Sequence, residues 1–410
     1  MRRNLRLSTL ALVLILLLAS CQPVAAPGQA GAAAGPQNYT LGVVQPFTGS
    51  LGSFGTDFGK GIELAVEQMN AQLKAAGSNV QFKIASADTK GTPDGAAKAV
   101  QTVVQTSGAQ VVVGPLTTGE VLGAKQFSDD NKIVIVAPAS SAPAGGIPDD
   151  YILRVMYPSD TFAAQAFIKI ATARKYKNIA LLQVDDPFGN GMNEIFTKGF
   201  QAAGGGEVVA IKYASEPTDL SSEVTKLSSE VTRLKATGST AVFCVCFLGD
   251  AQKALQVASV DKVLGTVDWL GAENLVNKDI LKDPAHAKFL AQTHFTVVTT
   301  TERQNPNTQP FKAAFKKKFS SDPGPFTNYA YDAANIAMLS ILTAGNKGEN
   351  VQKILPFIAA HYIGTAVQTY LDANGDQALA YYSIQQVKQD GSDFNEVGTF
   401  DGSTGEVTMK

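Results

Sequence analysis

The sequence predicts an α/β fold: two doubly wound parallel-sheet lobes joined by a hinge. Three observations point there. Short apolar runs such as Val111-Val112-Val113 and Ile133-Val134-Ile135-Val136 are rich in β-branched residues and do not alternate with polar ones. Such runs suit strands buried on both faces, as in a parallel sheet. Helical patterns separate the runs throughout the chain, which is the signature of strand–helix–strand units. Finally, one α/β series is followed by a second of similar design, and helices are left over after it. Returning some of those helices to the first unit gives two lobes and more than one crossover.

The elements follow in order. Arg2, Arg3 and Arg6 precede the apolar run Leu10–Leu18, and Leu18-Ala19-Ser20-Cys21 follows. That is the layout of an export signal, and the run is short for a bilayer span. Leu-Ala-Ser-Cys resembles a bacterial lipobox, which implies cleavage before Cys21 and acylation of its thiol. Residues 1–21 are therefore expected as a lipoprotein signal, with the rest lipid-anchored on the outer side of the membrane. Residues 22–38, rich in Ala, Gly and Pro, read as a flexible tether.

From Tyr39 the pattern predicts a strand over 39–47, a Gly/Ser loop over 48–55 that carries Phe54, and a helix over 58–73. A strand over 80–87, a helix over 96–104 and the two valine-rich strands follow, then a strand over 152–157. The second series runs helix 161–174, strand 179–184, helix 192–203, strand 208–213 and helix 219–235. That last helix contains a tandem duplication, LSSEVTK then LSSEVTR, starting at Leu220 and Leu227. Leucines seven apart lengthen one amphipathic face with little rotation. Strands over 241–247, 266–270 and 295–300, helices over 251–260, 311–319, 329–342 and 351–361, and a strand over 380–387 complete the series. The expected division gives residues 39–157 and 300–375 to the first lobe, and 158–299 and 376–410 to the second.

Composition narrows the function. The 410 residues are 45% hydrophobic and 17% charged with a formal net charge of −2, so no basic stripe invites nucleic acid. Lys316-Lys317-Lys318 reads as a solvated helix face. His286, His294 and His361 are scattered and suggest no metal site, and no cofactor is expected. Cys244 and Cys246 lie two apart in an apolar strand pattern; as strand residues they are poorly placed to bond each other and read as small buried side chains. Asp185 and Asp186 are adjacent, which sends their carboxylates to opposite sides of an extended chain and argues against a joint acid–base role. No GxSxG or GxxxxGK[ST] run occurs.

Both valine-rich strands end in hydroxyl loops, Thr117-Thr118-Gly119 and Ser140-Ser141. Ligands in open α/β sheets bind at the carboxyl ends of strands, often against helix N-termini. The Thr pair also reads as plain helix capping. Two such loops bracketing one helix point to a shared pocket, and a cleft between lobes is a usual place for a small ligand.

The pattern from Tyr39 onward resembles the type I periplasmic binding proteins, in particular the leucine/isoleucine/valine-binding branch of ABC-transporter substrate-binding proteins. The resemblance is carried by Gln45-Pro46-Phe47-Thr48-Gly49 with Phe54-Gly55, Val113-Gly114-Pro115-Leu116-Thr117-Thr118 and Ala137-Pro138-Ala139-Ser140-Ser141. In the second half it is carried by Asp186-Pro187-Phe188-Gly189-Asn190-Gly191, Gly271-Ala272-Glu273 and Tyr329-Ala330-Tyr331-Asp332-Ala333. It implies a non-catalytic monomer that closes its lobes on an amino acid, with an apolar or branched side chain, and delivers it to a membrane ABC permease. The alternative is a sensor subunit of the same fold for amides, urea or aromatic acids. By the resemblance, Thr118 and Ser141 would bind a carboxylate, with Thr117 beside them. The carbonyl near Ser140 and the carboxylate of Glu273 would hold the ammonium, and Phe54, Phe188 and Phe247 would wall the side-chain pocket. Read without it, Glu273 is a carboxylate at a helix start, Phe188 staples its turn, and Phe247 is core. Phe188 and Phe247 stand where relatives commonly have tyrosines, and no cysteine lies between Gln22 and Phe243 to staple the first lobe.

Overall fold

A computed structural model describes residues 37–301, 306–366 and 368–410. The export signal, Cys21 and the tether up to residue 36 lie outside them.

The first series runs β1 (Gln37–Gln45), α1 (Gly52–Ala75), β2 (Val80–Asp88), α2 (Pro93–Ser107), β3 (Val111–Val113), α3 (Thr118–Asn131), β4 (Val134–Ala137) and β5 (Ile152–Pro158). The second runs α4 (Asp160–Ala173), β6 (Asn178–Val184), α5 (Pro187–Ala202), β7 (Val208–Tyr213), α6 (Ser221–Lys235), β8 (Thr240–Val245), α7 (Leu248–Ala258), β9 (Trp269–Gly271), α8 (Pro284–Gln292) and β10 (Thr296–Thr300). Then come α9 (Thr308–Phe319), α10 (Thr327–Ala344), α11 (Gly348–His361), β11 (Asp376–Gln377), β12 (Tyr381–Val387), β13 (Phe394–Asp401) and β14 (Glu406–Met409).

The strands form two sheets, ordered β11-β5-β4-β3-β1-β2 and β14-β13-β12-β10-β9-β8-β6-β7. In the first, β3 lies parallel to β1 and β4, with Val111 beside Leu41 on one side and Val134 on the other. Its valines alternate between two cores. Val112 packs with Val100, Val103 and Val121 of α2 and α3. Val111 and Val113 pack on the opposite face with Ile62 of α1 and Ala330 of α10. That is why the run shows no polar alternation: both faces are covered. Helices α1 and α10 approach closely at Gly61, where a Cβ would stand 2.6 Å from the Thr327 carbonyl oxygen.

The second sheet is parallel from β7 through β6, β8 and β9 to β10, and antiparallel from β10 through β12 and β13 to β14. The chain passes between sheets after β5, β10 and β11, so three strands of backbone join the lobes. The duplicated heptads lie in α6, where Val224, Leu227, Val231 and Leu234 are all buried on one face.

Several details differ from the sequence reading. Helix α1 begins at Gly52, so Phe54 sits in its first turn rather than in a loop, and β1 begins at Gln37. The first turn of α1 is Gly-Ser-Phe-Gly with Leu51 at its cap and no side-chain capping bond, so it carries no start signal. Asp376–Gln377 pairs with β5 in the first sheet, and the return to the second falls at β12. Cys244 and Cys246 are joined by a disulfide. Strand β8 ends at Val245, and with the second cysteine beyond it the Cα atoms are 5.4 Å apart, shorter than the roughly 6.6 Å of an i,i+2 strand pair and within disulfide reach.

Candidate functional site

The two hydroxyl loops end β3 and β4 side by side. Thr117 caps α3: its hydroxyl accepts from the Glu120 N–H at 3.2 Å, and the Glu120 carboxylate accepts from the Thr117 N–H at 2.8 Å. This reciprocal capping box uses the Thr117 hydroxyl for the helix. Glu120 is fully buried, which raises its carboxyl pKa, and it also receives the Thr89 hydroxyl. Thr118, one residue further on, turns its hydroxyl to the other loop. It lies 2.9 Å from the Ser140 hydroxyl and accepts the Ala142 N–H at 3.0 Å.

A buried arginine holds the second loop. Arg154 of β5 is 1% exposed, and its Nη1 donates to the Ala142 carbonyl at 2.6 Å. Its Nε donates to Asp376 Oδ1 at 2.6 Å, and Nη2 pairs with the other carboxylate oxygen. Such a forked arginine–carboxylate pair fixes geometry as well as charge. The Ser140 carbonyl, assigned by resemblance to an ammonium, also has Arg154 Nη1 at 3.5 Å.

Between the lobes lies a cavity of about 70 Å³. Thr117, Thr118 and Ser141 line it at the hydroxyl end. Phe54, Phe326 and Tyr157 wall it from the first sheet's side, with Phe54 stacked on Phe326 at 6.5 Å and Tyr157 edge-on to Phe326 at 5.3 Å. Phe188 and Phe247 wall it from the second, stacked on each other at 5.5 Å. Phe188 stands in the first turn of α5, at the start of which Asp186 caps the helix by accepting the Gly189 N–H at 2.9 Å. Phe247 lies just past β8, at the N-cap position of α7. Glu273, in a short 3-10 turn after β9, completes the lining with Asn274. Seven of the eight residues expected from the sequence thus line one cavity. Ser140 is behind it, bonded to Thr118.

Buried polar groups next to the hydroxyl loops are undercompensated. Glu273 is 3% exposed and its Oε1 has no hydrogen-bond partner in the protein. Asp160, at the start of α4, is buried with its N–H on the Ser141 carbonyl at 2.9 Å and its carboxyl beside the Ser141 hydroxyl, and the hydroxyls of Tyr157 and Tyr382 are buried without a partner. Burial pushes the Glu273 carboxyl well up, and the nearby Asp160 adds to it. Burial also lifts Asp160, to about 7; Ser141 and Arg154 oppose the rise and Asp186 favours it. Two carboxyls and two phenols in low-dielectric surroundings are costly unless a donor or cation meets them. Asp160, Tyr157, Tyr382 and Phe326 were not singled out from the sequence. Asp160 follows Ser159 at a helix start, where an acidic residue needs no other reason. Phe326 and Tyr382 come from segments far away in the chain.

Asp185 and Asp186 take separate structural tasks. Asp185 accepts from Asn190 at 3.0 Å and Lys212 at 3.1 Å, while Asp186 is the cap described above.

Residues 38–392 match the model of the periplasmic binding protein family. A Leu/Ile/Val-binding protein homolog from Brucella abortus is 24% identical over 330 residues, covering 73% of this chain and 76% of its own. A leucine binding protein from Thermotoga maritima superposes with a TM-score of 0.72 at 18% identity, covering 89% of this chain and 99% of its own. A solute binding protein of an ABC transporter from R. palustris, in complex with benzoate, superposes with a TM-score of 0.73 at 16% identity, over 88% and 96% of the two chains. With the matched span taking in the first sheet, the second sheet as far as β12 and the cavity between them, the chain belongs to the periplasmic binding protein family.

Proposed function

We propose that this protein captures a free amino acid with an apolar side chain and hands it to an ABC permease. The observation that carries this reading is the polarity of the cavity. The lining offers the Ser141 hydroxyl and the first N–H groups of α3, which suit a carboxylate. It also offers the Glu273 carboxyl, whose Oε1 has no partner in the protein and which suits an ammonium. Phe54, Phe326, Phe188 and Phe247 supply an apolar wall beside them. Thr118 supports the carboxylate end by fixing both loops.

A second reading, an aromatic acid, draws on the same phenylalanines and on the benzoate-bound neighbour. It leaves Glu273 and Asp160 without a cation, so the zwitterion is preferred. Delivery to a membrane permease follows the family's transport role. Anchoring through an acylated Cys21 rests on the lipobox alone and would be tested by loss of membrane association in Cys21→Ala.

The deciding experiment is thermal unfolding of a chain starting at Asn38 with leucine, isoleucine, valine, benzoate, urea and simple amides. A ligand at a hundred times its dissociation constant stabilises by about 2.7 kcal/mol. Stabilisation by the branched amino acids that disappears in Glu273→Gln supports the reading. Stabilisation by benzoate alone would replace it with the aromatic-acid one.

A further inference from the structure

Ser50 lies in the loop between β1 and α1 and belongs to the first lobe. Two segments of the second lobe, the loop at Glu216 and the first turns of α7, close on it. Its N–H donates to both carboxylate oxygens of Glu216, at 3.0 and 2.9 Å. Its hydroxyl donates to Asp250 Oδ1 at 2.6 Å. Its carbonyl accepts from the Gly249 N–H at 3.3 Å, and Lys253 Nζ stands 3.5 Å from its hydroxyl.

The backbone around this contact is shaped for it. Gly49 has φ +88°, and a Cβ there would stand 2.9 Å from Glu216 Oε1. A Cβ on Gly91 would stand 3.2 Å from the same atom. Glu216 itself has φ +55°, in the left-handed region that non-glycine residues seldom occupy. Lys253 Nζ also donates to the Pro217 carbonyl at 2.6 Å, which ties the Glu216 loop to α7. Asp250 is fully buried, and Tyr213 donates to its second oxygen at 3.3 Å. None of Ser50, Glu216, Asp250 and Lys253 lines the cavity, yet Ser50 adjoins Leu51 and Asp250 stands three residues after Phe247, both of which do.

We propose that Ser50, gripped by Glu216 and Asp250, is a clasp between the lobes that sets how long a captured ligand stays. The clasp rests on the closing-cleft reading above and extends it: residence time is governed by residues that never touch the ligand. Weakening it changes dissociation and leaves entry almost alone, because the contacts form only after the lobes meet.

The test compares the wild type with Glu216→Ala, Ser50→Ala and Glu216→Gln, using a chain starting at Asn38 and radiolabelled leucine as the probe. Glu194→Ala, which breaks an exposed ion pair on α5, serves as the control. Release of leucine is expected to quicken about tenfold in Glu216→Ala and Ser50→Ala, with association within about threefold of the wild type. Glu216→Gln, which keeps one acceptor, should fall between. Small-angle scattering without leucine should show both alanine variants more expanded than the wild type, while the control matches it. Equal release rates and equal radii of gyration would overturn the clasp. A wild type that takes up no leucine, with the alanine variants still more expanded, would remove the amino-acid reading and leave the clasp standing.

Discussion

The Thr118 hydroxyl lies 2.9 Å from that of Ser140 and accepts the Ala142 N–H at 3.0 Å, so one side chain stitches together the loops that end β3 and β4. Ala142 is fully buried, and its N–H has no water to turn to. Thr118→Val keeps the shape and removes the hydroxyl. It should cost about 1–3 kcal/mol of stability in urea unfolding and weaken leucine binding about tenfold or more. Ser141→Ala should weaken leucine binding and also lower stability in urea unfolding by about 1 kcal/mol, because the hydroxyl that lines the cavity also supports the buried Asp160 carboxyl.

Asp160 should make the ligand-free protein less stable as pH rises. Its carboxyl is raised from 3.8 to about 7 by burial, Asp186 adding to the rise while Ser141 and Arg154 oppose it. Across that window the folded chain keeps a proton that the unfolded chain has lost. The group's contribution is therefore whole below about pH 4 and lost as pH climbs through about 7. The loss is on the order of 2–4 kcal/mol for a shift of this size. Melting curves from pH 4 to 8 should fall less steeply in Asp160→Asn than in the wild type. Saturating leucine should also flatten the wild-type curve, since an ammonium favours the ionised carboxyls. Parallel curves in all three cases would refute the assignment.

Asp332 of α10 organises the segment that follows α11. It accepts the Thr365 N–H at 2.8 Å, the Ala366 N–H at 2.9 Å and the Tyr362 hydroxyl at 3.1 Å. Asp332→Ala orphans all three donors and should lower stability by about 3–4 kcal/mol in urea unfolding. Asp332→Asn, which keeps one acceptor oxygen, should cost less.

The Cys244–Cys246 bond is checked by chemistry alone. A chain starting at Asn38, denatured without reductant, should show no free thiol with a thiol-reactive dye, and two after reduction. Two thiols before reduction would restore the reading of these residues as separate core side chains. Because the bond closes so short a loop, Cys244→Ala should change stability little by the chain-entropy argument.

Much of this molecule is legible in the sequence where burial is two-sided. Val111–Val113 and Val134–Ala137 announce themselves because both faces of each strand are covered, leaving no polar position to blur the run. Strands β13 and β14 were missed for the opposite reason: Phe394–Asp401 and Glu406–Met409 are at the open edge of the second sheet, half-exposed, and carry polar residues throughout. Phe54, Phe188 and Phe247 come from the family resemblance and not from a local signal, whereas the hydroxyl loops could be named because they end strands. Phe326 could not: it follows Asp322-Pro323-Gly324-Pro325, a turn sequence, and reaches the cavity only through its left-handed backbone, φ +61°. The carboxyl pair of Glu273 and Asp160 was half legible, since nothing local places residues 273 and 160 together.

The Arg154–Asp376 pair has a consequence for the order in which the molecule becomes competent. The two residues are 222 positions apart, and the arginine they fix is the one holding the Ala142 carbonyl. A nascent chain released before residue 376 would already contain both hydroxyl loops, all five phenylalanines that line the cavity and Glu273. It would still lack the counter-charge that orients Arg154, so the second loop would be left to Thr118 and the Asp160 N–H. The shape of the cavity's hydroxyl end thus depends on a residue far along the chain from every segment that lines it.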